Sequence, residues 1–385
     1  MTDEIDASVH LQFEITKKLG KGAYGVVWKG TDKSTKKAVA VKKCFDAFRN
    51  STDAQRTYRE VMYLQALKGH ENIVQLLHII SAENHQDLYL IFECMETDLH
   101  VAIRANILQE IHRKFIIYQV LKALKYMHSA GLIHRDMKPS NILLNSKCEV
   151  KLCDFGLMRS ISSVGEAKQL LTDYVATRWY RSPEVLVGCT QYSQAIDLWA
   201  LGCILGEMIS GSPIFQGTDT LRQLKKIIEV CGIPSKDEIY VLQELTPVNK
   251  IEPFLMECDS SSKQNLADLC NGASGEALDF MNLTFQYCPH SRISAETGLS
   301  HPYVRDFHKP NDSVSEPNYP HDKKIKLAIG DNMKLSPDEY RKSLYYYVQN
   351  RKKVFRQKEN PIRRAKIGPS PSTTPCDLPD SGPIT

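Results

Sequence analysis

The sequence predicts an α+β fold in two lobes: a small, mainly β N-terminal lobe with one key helix, and a larger, mainly α C-terminal lobe. Three observations lead there. A length of 385 residues is too great for one small core and suggests about two domains or lobes. Strand-like patterns and a glycine-rich turn crowd the stretch before residue 45, and helix-length apolar patterns dominate after residue 110. An apolar content of 42% and a charged content of 24% are ordinary for a globular chain.

Residues 1–12 carry no periodic signal and read as a short arm. From Phe13 to Leu19 a strand is expected, followed by Gly20-Lys21-Gly22-Ala23-Tyr24-Gly25 and a second strand at Val26-Val27-Trp28. Three glycines at these offsets are common in hairpins and weak alone. Because β-branched residues rather than a helix follow, the loop sits in a hairpin, where glycine lets backbone amides approach phosphates as a flap would. The next strand, Lys37 to Lys43, places Ala38, Ala40 and Lys42 on one face. A solvated strand lysine is the bland reading of Lys42, and Lys43 beside it competes for any phosphate-binding role; alternation favours Lys42, which shares its face with small Ala40.

Residues 53 to 67 read as a helix with Asp53 as its cap and Val61, Leu64 and Leu67 facing inward. Glu60, alone a surface charge, becomes a partner for Lys42 once the lysine strand and glycine loop are in view. Leu88 to Phe92 is a continuous apolar strand, read as the sheet edge leading into a hinge, Glu93-Cys94-Met95-Glu96-Thr97-Asp98. Backbone groups at Glu93 and Met95 suit a purine edge, and Phe92 narrows the space behind it.

The second lobe opens with a helix from Arg113 to Ser129, whose stripe Ile116, Val120, Ala123, Leu124 and Met127 is core. Directly after it stands the most informative stretch, His134-Arg135-Asp136-Met137-Lys138-Pro139-Ser140-Asn141. Phosphoryl transfer needs a carboxylate to orient a hydroxyl, a cation for the moving charge and an amide oxygen for a metal, and Asp136, Lys138 and Asn141 supply them. A mixed-charge surface turn is the competing reading. The strand Val150 to Cys153 ends at Asp154-Phe155-Gly156, where Asp154 would hold magnesium with Asn141, a sparse oxygen set of the kind magnesium prefers. A polar loop runs from Ser160 to Thr177 and ends in Ser182-Pro183-Glu184. Asp197 to Ser210 is apolar nearly all round and reads as a buried helix. Residues 218–231 are helical, 234–273 an irregular insertion, and Ala277 to Tyr287 helical again, with Arg292 placed to pair with Glu184.

Together these motifs resemble the eukaryotic protein kinase family over about residues 13–304, in the family's order. The resemblance implies the bilobal protein kinase fold, an N-lobe at 13–93 and a C-lobe at 94–304, with ATP and Mg2+ in the cleft. It places Leu19, Gly20, Lys21, Gly22, Ala23, Tyr24, Gly25, Val26, Val27, Ala40, Lys42, Glu60, Phe92, Glu93, Met95, Asp98 and Leu143 around the nucleotide. Asp136, Lys138 and Asn141 fall at the catalytic positions, and Asn141 and Asp154 at the metal positions. Thr172-Asp173-Tyr174 before Val175-Ala176-Thr177-Arg178-Trp179-Tyr180-Arg181 is similar to the dual-phosphorylation lip of a MAP kinase. Phe45 to Arg49, Phe92 and Asp154 to Leu157 look most like the extracellular-signal-regulated kinase seven/eight branch, also called MAP kinase fifteen. Ser182, Met137, Met158 and Asp173 depart from the usual alanine, leucine, alanine and glutamate.

The resemblance also implies a switch. Arg59, Arg135 and Arg159 match the arginines around a phosphothreonine, here Thr172, and Arg178 and Arg181 match those around a phosphotyrosine, here Tyr174. A phosphate adds about −1.5 to −2 charge and draws such cations together. Autophosphorylation, rather than an upstream kinase, is the expectation from the branch. Protein substrates with Ser/Thr-Pro sites are implied, a cyclin-dependent kinase is disfavoured by the Thr172–Tyr174 lip, and a pseudokinase scaffold is the rival from another class.

After residue 304 an extension, 305–350, is expected to pack back on the kinase. His308 to Asp312 resembles the start of a MAP kinase docking extension for basic partner motifs, though only Asp312 matches closely and Glu316 is displaced. Ser336-Pro337-Asp338-Glu339 announces a helix with Leu344, Tyr347, Val348 and Arg351 on one face. Of the net charge of +4, residues 351–385 hold +5, from eight Lys/Arg and three Asp/Glu, which leaves −1 for the body (4 − 5). The body thus offers no electrostatic support for nucleic-acid binding. The basic tail reads as solvated or as an anionic-surface or nuclear-import patch, then as a disordered Pro/Ser/Thr-rich end with Ser370-Pro371 and Thr374-Pro375 as candidate modification sites.

Composition bounds the setting. Eleven cysteines without a Cys-x-x-Cys pair argue against structural zinc and a disulfide framework and for free thiols in a reducing compartment. No membrane span or secretory leader is expected, since Thr2-Asp3-Glu4 is acidic and the longest apolar run, Leu198 to Ile209, is broken by Glu207. A monomer in the cytoplasm and nucleus is expected, with cilium or basal body suggested by the branch resemblance.

Overall fold

In the computed structural model the described residues are 4–22, 25–161, 177–189, 191, 193–245, 264–310, 312, 314–320 and 324–349. Residues 1–340 form one unit and 341–385 another.

The stretch read as a short arm carries a helix. Helix α1 (Ala7–Gln12) buries Val9 completely, against Phe13, Val39, Val41, Tyr89 and Ile91. Strands β1 (Phe13–Gly22) and β2 (Gly25–Asp32) form the expected hairpin with Gly22 opposite Gly25, and β3 (Ala38–Cys44) pairs antiparallel with β2. Gly25 is required by close approach: an added Cβ would stand 2.1 Å from the carbonyl oxygen of Lys43. Helix α2 (Ser51–Ala66) carries Glu60. Its cap is Asn50, whose side chain accepts from the Thr52 and Asp53 amides, and not Asp53, which lies in the first turn where its charge favours the helix dipole.

Strands β4 (Leu76–Ser81) and β5 (Leu88–Glu93) complete a five-stranded antiparallel sheet in the order β1-β2-β3-β5-β4. The expectation of an edge strand at Leu88 to Phe92 is therefore corrected. The edge on this side is β4, and β5 lies inside the sheet, paired with β3 and β4, with Leu88 to Phe92 buried.

The larger lobe follows the short strand β6 (Thr97–Asp98) and helix α3 (Leu99–Arg104). Helix α4 (Glu110–Ser129) buries its whole predicted stripe, with Ile116, Val120, Ala123, Leu124 and Met127 fully covered. Strands β7 (Leu132–Ile133), β8 (Ile142–Leu144), β9 (Val150–Leu152) and β10 (Arg159–Ser160) frame the loops between them; β8 joins β6 and β9, and β10 joins β7. After α5 (Pro183–Leu186), α6 (Ala195–Ser210) is buried on nearly every side. Gly202 within it lies where a Cβ would meet the Thr284 hydroxyl at 2.0 Å, so only glycine permits this helix contact.

Helix α7 (Thr220–Cys231) is capped by Asp219. Within 234–273 the described ends hold two helices: Ser235 and Glu238 form a reciprocal capping box that starts α8 (Lys236–Glu244), and α9 is Leu266–Leu269; residues 246–263 lie outside the described residues. Helices α10 (Gly275–Thr284) and α11 (Ala295–Leu299) close the lobe. Arg292 meets Glu184 in a bidentate pair at 2.6 and 2.7 Å with both side chains fully buried, tying the segment after the lip to the C-lobe core. Among the described residues, no helix is long and apolar enough to cross a membrane, and the cysteines are free thiols.

The extension after residue 304 crosses both lobes. Tyr319 donates its amide to Ser129 Oγ at 2.8 Å and Ile325 its amide to the Ala130 carbonyl at 2.9 Å, while Gln55 of α2 donates to the carbonyl of Met333 at 2.8 Å. The Ser336–Glu339 capping box is present, and Tyr340 packs on Tyr58 of α2 with ring centroids 5.6 Å apart. The predicted face formed by Leu344, Tyr347 and Val348 belongs to the second unit, whose described part, 341–349, is helical. Arg351, the basic tail, Ser370 and Thr374 lie outside the described residues.

Candidate active site

The register of the sheet separates the two competing lysines. Lys42 is opposite Val27 and Leu90, whereas Lys43 is opposite Val26 and Tyr89. Directly opposed residues share a face of the sheet and neighbours in sequence do not. Lys42 Nζ meets Glu60 Oε1 at 2.5 Å. Burial disfavours the Lys42 ammonium, but Glu60 and the more distant Asp154 outweigh burial and raise its pKa, so the amine stays charged.

Lys43 faces the other way. Its Nζ donates to the Glu4 carbonyl at 2.7 Å, lies 3.6 Å from Asp6 and 3.5 Å from Asp87, and sits over the Phe45 and Tyr89 rings. Val26 and Lys21 opposite it, both expected around the nucleotide, share this far face, so their inclusion is corrected: Val27 and Gly20 opposite it are on the Lys42 side.

The remaining nucleotide candidates lie along the hairpin, the sheet and the hinge. Leu19, Gly20, Lys21 and Gly22 form the end of β1, and a Cβ at Gly20 or Gly22 would meet open space. Ala23 and Tyr24 lie outside the described residues. Ala40 is opposite Phe92, and Leu143 is opposite Asp98. The Glu93 amide donates to the Gln75 carbonyl at 3.2 Å and its carboxylate turns to the Gln75 amide at 2.8 Å and Lys151 at 3.0 Å, so that side chain anchors the hinge. Asp98 caps α3, accepting from the Val101 amide at 3.0 Å. Met95 follows Cys94, whose thiol donates to the Met95 carbonyl at 3.4 Å.

The loop after β7 gathers its three expected groups. Lys138 Nζ lies 2.7 Å from Asp136 Oδ2, and Asn141 Nδ2 donates to the Asp136 carbonyl at 2.8 Å and to Oδ2 at 3.1 Å. Asp136 is thus gripped by a cation and an amide, and the Asn141 amide oxygen is left on the other side of its side chain. His134 accepts the Asp136 amide on Nδ1 at 3.3 Å and lies 3.1 Å from the Cys153 carbonyl through Nε2, joining this loop to the segment bearing Asp154.

Sequence reasoning misses Asp197 as a site residue. Buried at the start of α6, it accepts the His134 and Arg135 amides, each at 2.9 Å, and lies 3.0 Å from His128 Nε2. Burial would raise its carboxyl, but His128, His134 and the backbone donors outweigh burial and lower it. One signal is available: an acid opening an otherwise apolar helix must have buried partners.

Asp154 has a left-handed backbone, with φ 62°, and approaches Arg56 of α2 at 3.5 Å. Burial opposes its ionised form, yet Lys42, Arg56 and Lys138 outweigh burial and lower its pKa. An ionised carboxylate and a side-chain amide oxygen are the hard donors that Mg2+ takes alongside phosphates and water, so Asp154 and Asn141 fit that ion. In Cys153 beside it, desolvation pushes the thiol far up, leaving it inert.

Three of the predicted switch arginines come together. Arg59 and Arg159 both reach Asp331 of the extension, at 3.1 Å for the Arg59 carboxylate contact and 2.7 Å for the Arg159 bond to the main chain. Arg135 donates to the Leu157 carbonyl at 2.9 Å. Burial, Arg159 and Arg135 together press Arg59 down to about 10 against the pull of Asp331. Arg178 donates to the Thr218 carbonyl at 2.7 Å and Arg181 follows the short turn Arg178–Tyr180, while Thr172 and Tyr174 lie outside the described residues.

The two acids at the start of the extension are engaged within the chain. Glu316 is buried, taking the Tyr118 hydroxyl at 2.9 Å, His308 Nδ1 at 2.9 Å and the Lys309 amide at 3.0 Å, so it braces the extension. Asp312 accepts the Val314 and Ser315 amides at 3.0 and 3.1 Å in a turn.

A protein kinase domain model matches residues 13–304. The chain is 50% identical over 376 residues to "Extracellular signal-regulated kinase 2" of Dictyostelium discoideum, covering 97% of this chain and 100% of that protein. It is 44% identical over 367 residues to "Mitogen-activated protein kinase 15" of Xenopus laevis, covering 94% of this chain and 61% of that protein. With the Caenorhabditis elegans protein of the same name it shares 41% identity over 377 residues, covering 96% and 77%. The chain thus spans under two thirds of the frog kinase's length but all of the Dictyostelium kinase's. The matched domain, the two-lobed fold and these relatives show that the chain belongs to the protein kinase family, among the serine/threonine-specific MAP kinases.

Proposed function

We propose that this chain transfers the γ-phosphoryl group of ATP to serine or threonine followed by proline in protein substrates. The observation that carries the reading is the Asp136–Lys138–Asn141 cluster beside an Asp154 that stays ionised, together with the Lys42–Glu60 pair. Asp136 orients the substrate hydroxyl and accepts its proton. Lys138 stabilises charge on the transferred group, and Lys42, held by Glu60, binds the nucleotide phosphates. Asp154 and Asn141 would hold Mg2+, which when bound neutralises phosphate charge. Asp197 and His134 keep the Asp136 loop in place. A pseudokinase usually lacks one of the phosphate lysine, the catalytic acid or the magnesium acid; here Lys42, Asp136 and Asp154 are all present.

Proline preference, activation through Thr172 and Tyr174, self-phosphorylation and a cytoplasmic and nuclear setting come from the likeness to the MAP kinases. The experiment is transfer of radiolabelled phosphate from ATP to a generic Ser-Pro substrate, with Asp136→Asn as control and a Ser-Ala peptide as comparison. Incorporation that is equal for both proteins rules out this active site, and equal rates on the two peptides rule out the proline preference. Replacing Thr172 by Ala and Tyr174 by Phe should lower the rate at least tenfold, about 1.4 kcal/mol of barrier; an unchanged rate removes the switch.

A further inference from the structure

Of the cations expected around a phosphothreonine, Arg59 already holds an anion from the chain itself, and Arg159 holds the main chain of that same residue. Asp331 is buried, 5% exposed, and its carboxylate takes Arg59 Nε at 3.1 Å, the Tyr63 hydroxyl at 2.7 Å and the Ser160 amide at 2.8 Å. Its main-chain carbonyl takes Arg59 Nη2 and Arg159 Nη1, each at 2.7 Å, and Gln55 Nε2 at 3.2 Å. Gln55, Arg59 and Tyr63 are spaced by four residues and form one stripe along α2. Arg159 and Ser160 are β10, at the end of the segment that begins with Asp154. A single residue of the extension therefore fastens the helix bearing Glu60 to the strand after the metal-site acid.

We propose that Asp331 is a positioning residue that stands in for a lip phosphate, holding α2 in register with β10 while Thr172 is unmodified. Two guanidinium groups drawn together away from bulk water repel unless an anion lies between them, and charge-assisted bonds in such a setting are the strong kind. With Asp331 in place, Arg59 is anchored, so the next residue, Glu60, is held on Lys42 at 2.5 Å. A chain built this way has a basal rate before modification. A phosphate, with about twice the charge of a carboxylate, then adds to a helix already docked. The inference rests on Lys42 and Glu60 serving the nucleotide, as proposed above.

The test places Asp331→Asn in the Thr172→Ala/Tyr174→Phe protein and measures kcat and the KM for ATP. The expected result is a kcat at least fivefold lower than that of the lip-blocked parent, restored to within twofold by Asp331→Glu. In protein phosphorylated on the wild-type lip, Asp331→Asn should cost less than twofold, because the phosphate supplies the anion. An unchanged rate in the lip-blocked protein overturns the proposal, and so does a rise, which would make the contact inhibitory. Tyr63→Phe keeps the anion and removes one of its bonds, and should give a smaller fall if Asp331→Asn does not fold; no fall in that protein counts against the proposal. If the unaltered chain transfers no phosphate at all, the kinase reading fails separately, and hydrogen exchange across residues 51–66 decides: faster exchange in Asp331→Asn supports the positioning role, equal exchange ends it.

Discussion

Lys42 and Lys43 are neighbours on one strand, and they belong to two different kinds of structure. On the cleft face of the small lobe's sheet, Lys42 meets Glu60 of α2 with part of its side chain still open to solvent, 22% exposed. On the far face Lys43 is almost wholly covered, enclosed by Asp6, Asp87, two aromatic rings and the Glu4 carbonyl, all at the N-terminal helix or the sheet it covers. The same side chain thus meets a single acid beside the cleft on one face and is a rivet on the other. What decides is register alone, since a shift by one residue would exchange them.

The comparison yields a sharp expectation: changes on the cleft face should cost rate and leave stability, and changes on the far face the reverse. The largest effect should come from Lys42→Met. Loss of one preorganised phosphate-stabilising cation should lower kcat by about a thousandfold, roughly 4 kcal/mol, with little change in the urea midpoint. A rate within tenfold of the parent would mean that Lys42 is not the phosphate lysine. Glu60→Gln keeps shape and removes the charge that fixes Lys42, so kcat should fall by about 30- to 100-fold, roughly 2–3 kcal/mol. An effect on the urea midpoint larger than that on rate would place Glu60 among the structural pairs, beside the fully buried Arg292–Glu184.

How much of this was legible follows from the same two faces. Strand alternation puts Lys42 and Lys43 on opposite faces, because the period of two is strict, and small Ala40 beside Lys42 favours it without proving the choice. The Asp136–Lys138–Asn141 set was legible because its members lie within six residues, so local geometry nearly dictates their meeting. Far less legible was anything closed by distant chain. Helix α1 has six residues and one buried side chain, Val9, which is too little for a periodic signal. Asp197 stands 61 positions after Asp136, and its role appears only where α6 meets the turn after β7. Asp331 is 272 residues from Arg59, and in sequence it is one acid in a short polar run. Glu316 belongs with them: it is buried against Tyr118 and His308, and nothing in local sequence reveals burial of a lone acid.

The far face supplies the smaller and more discriminating predictions. Lys43→Met removes the cation between Asp6 and Asp87 while keeping the aliphatic stem, and leaves both carboxylates without it. Breaking a fully buried pair costs about 3–5 kcal/mol; these acids retain other donors and some solvent, so a loss of about 2 kcal/mol by urea denaturation is expected, with kcat kept within twofold. A kcat lowered as far as by Lys42→Met would end the division of labour between the faces. Asp6→Asn should cost less, about 1 kcal/mol at pH 7, the scale of one weakened charge-assisted bond. Its dependence on pH carries the mechanism. Burial would raise the Asp6 carboxyl, but the Glu83 amide, the Tyr89 hydroxyl and Lys43 outweigh burial and hold it below its ordinary 3.8. A depressed folded-state value means that the unfolded chain takes up the proton first, so this stabilisation is present above about pH 4 and fades as pH falls through the folded value. The gap between the parent and Asp6→Asn should therefore be constant from pH 7 to about 5 and narrow below 4. A gap that persists at pH 3 would show that Asp6 holds α1 through shape and neutral hydrogen bonds, and that the far face is fastened by packing around Val9 rather than by charge.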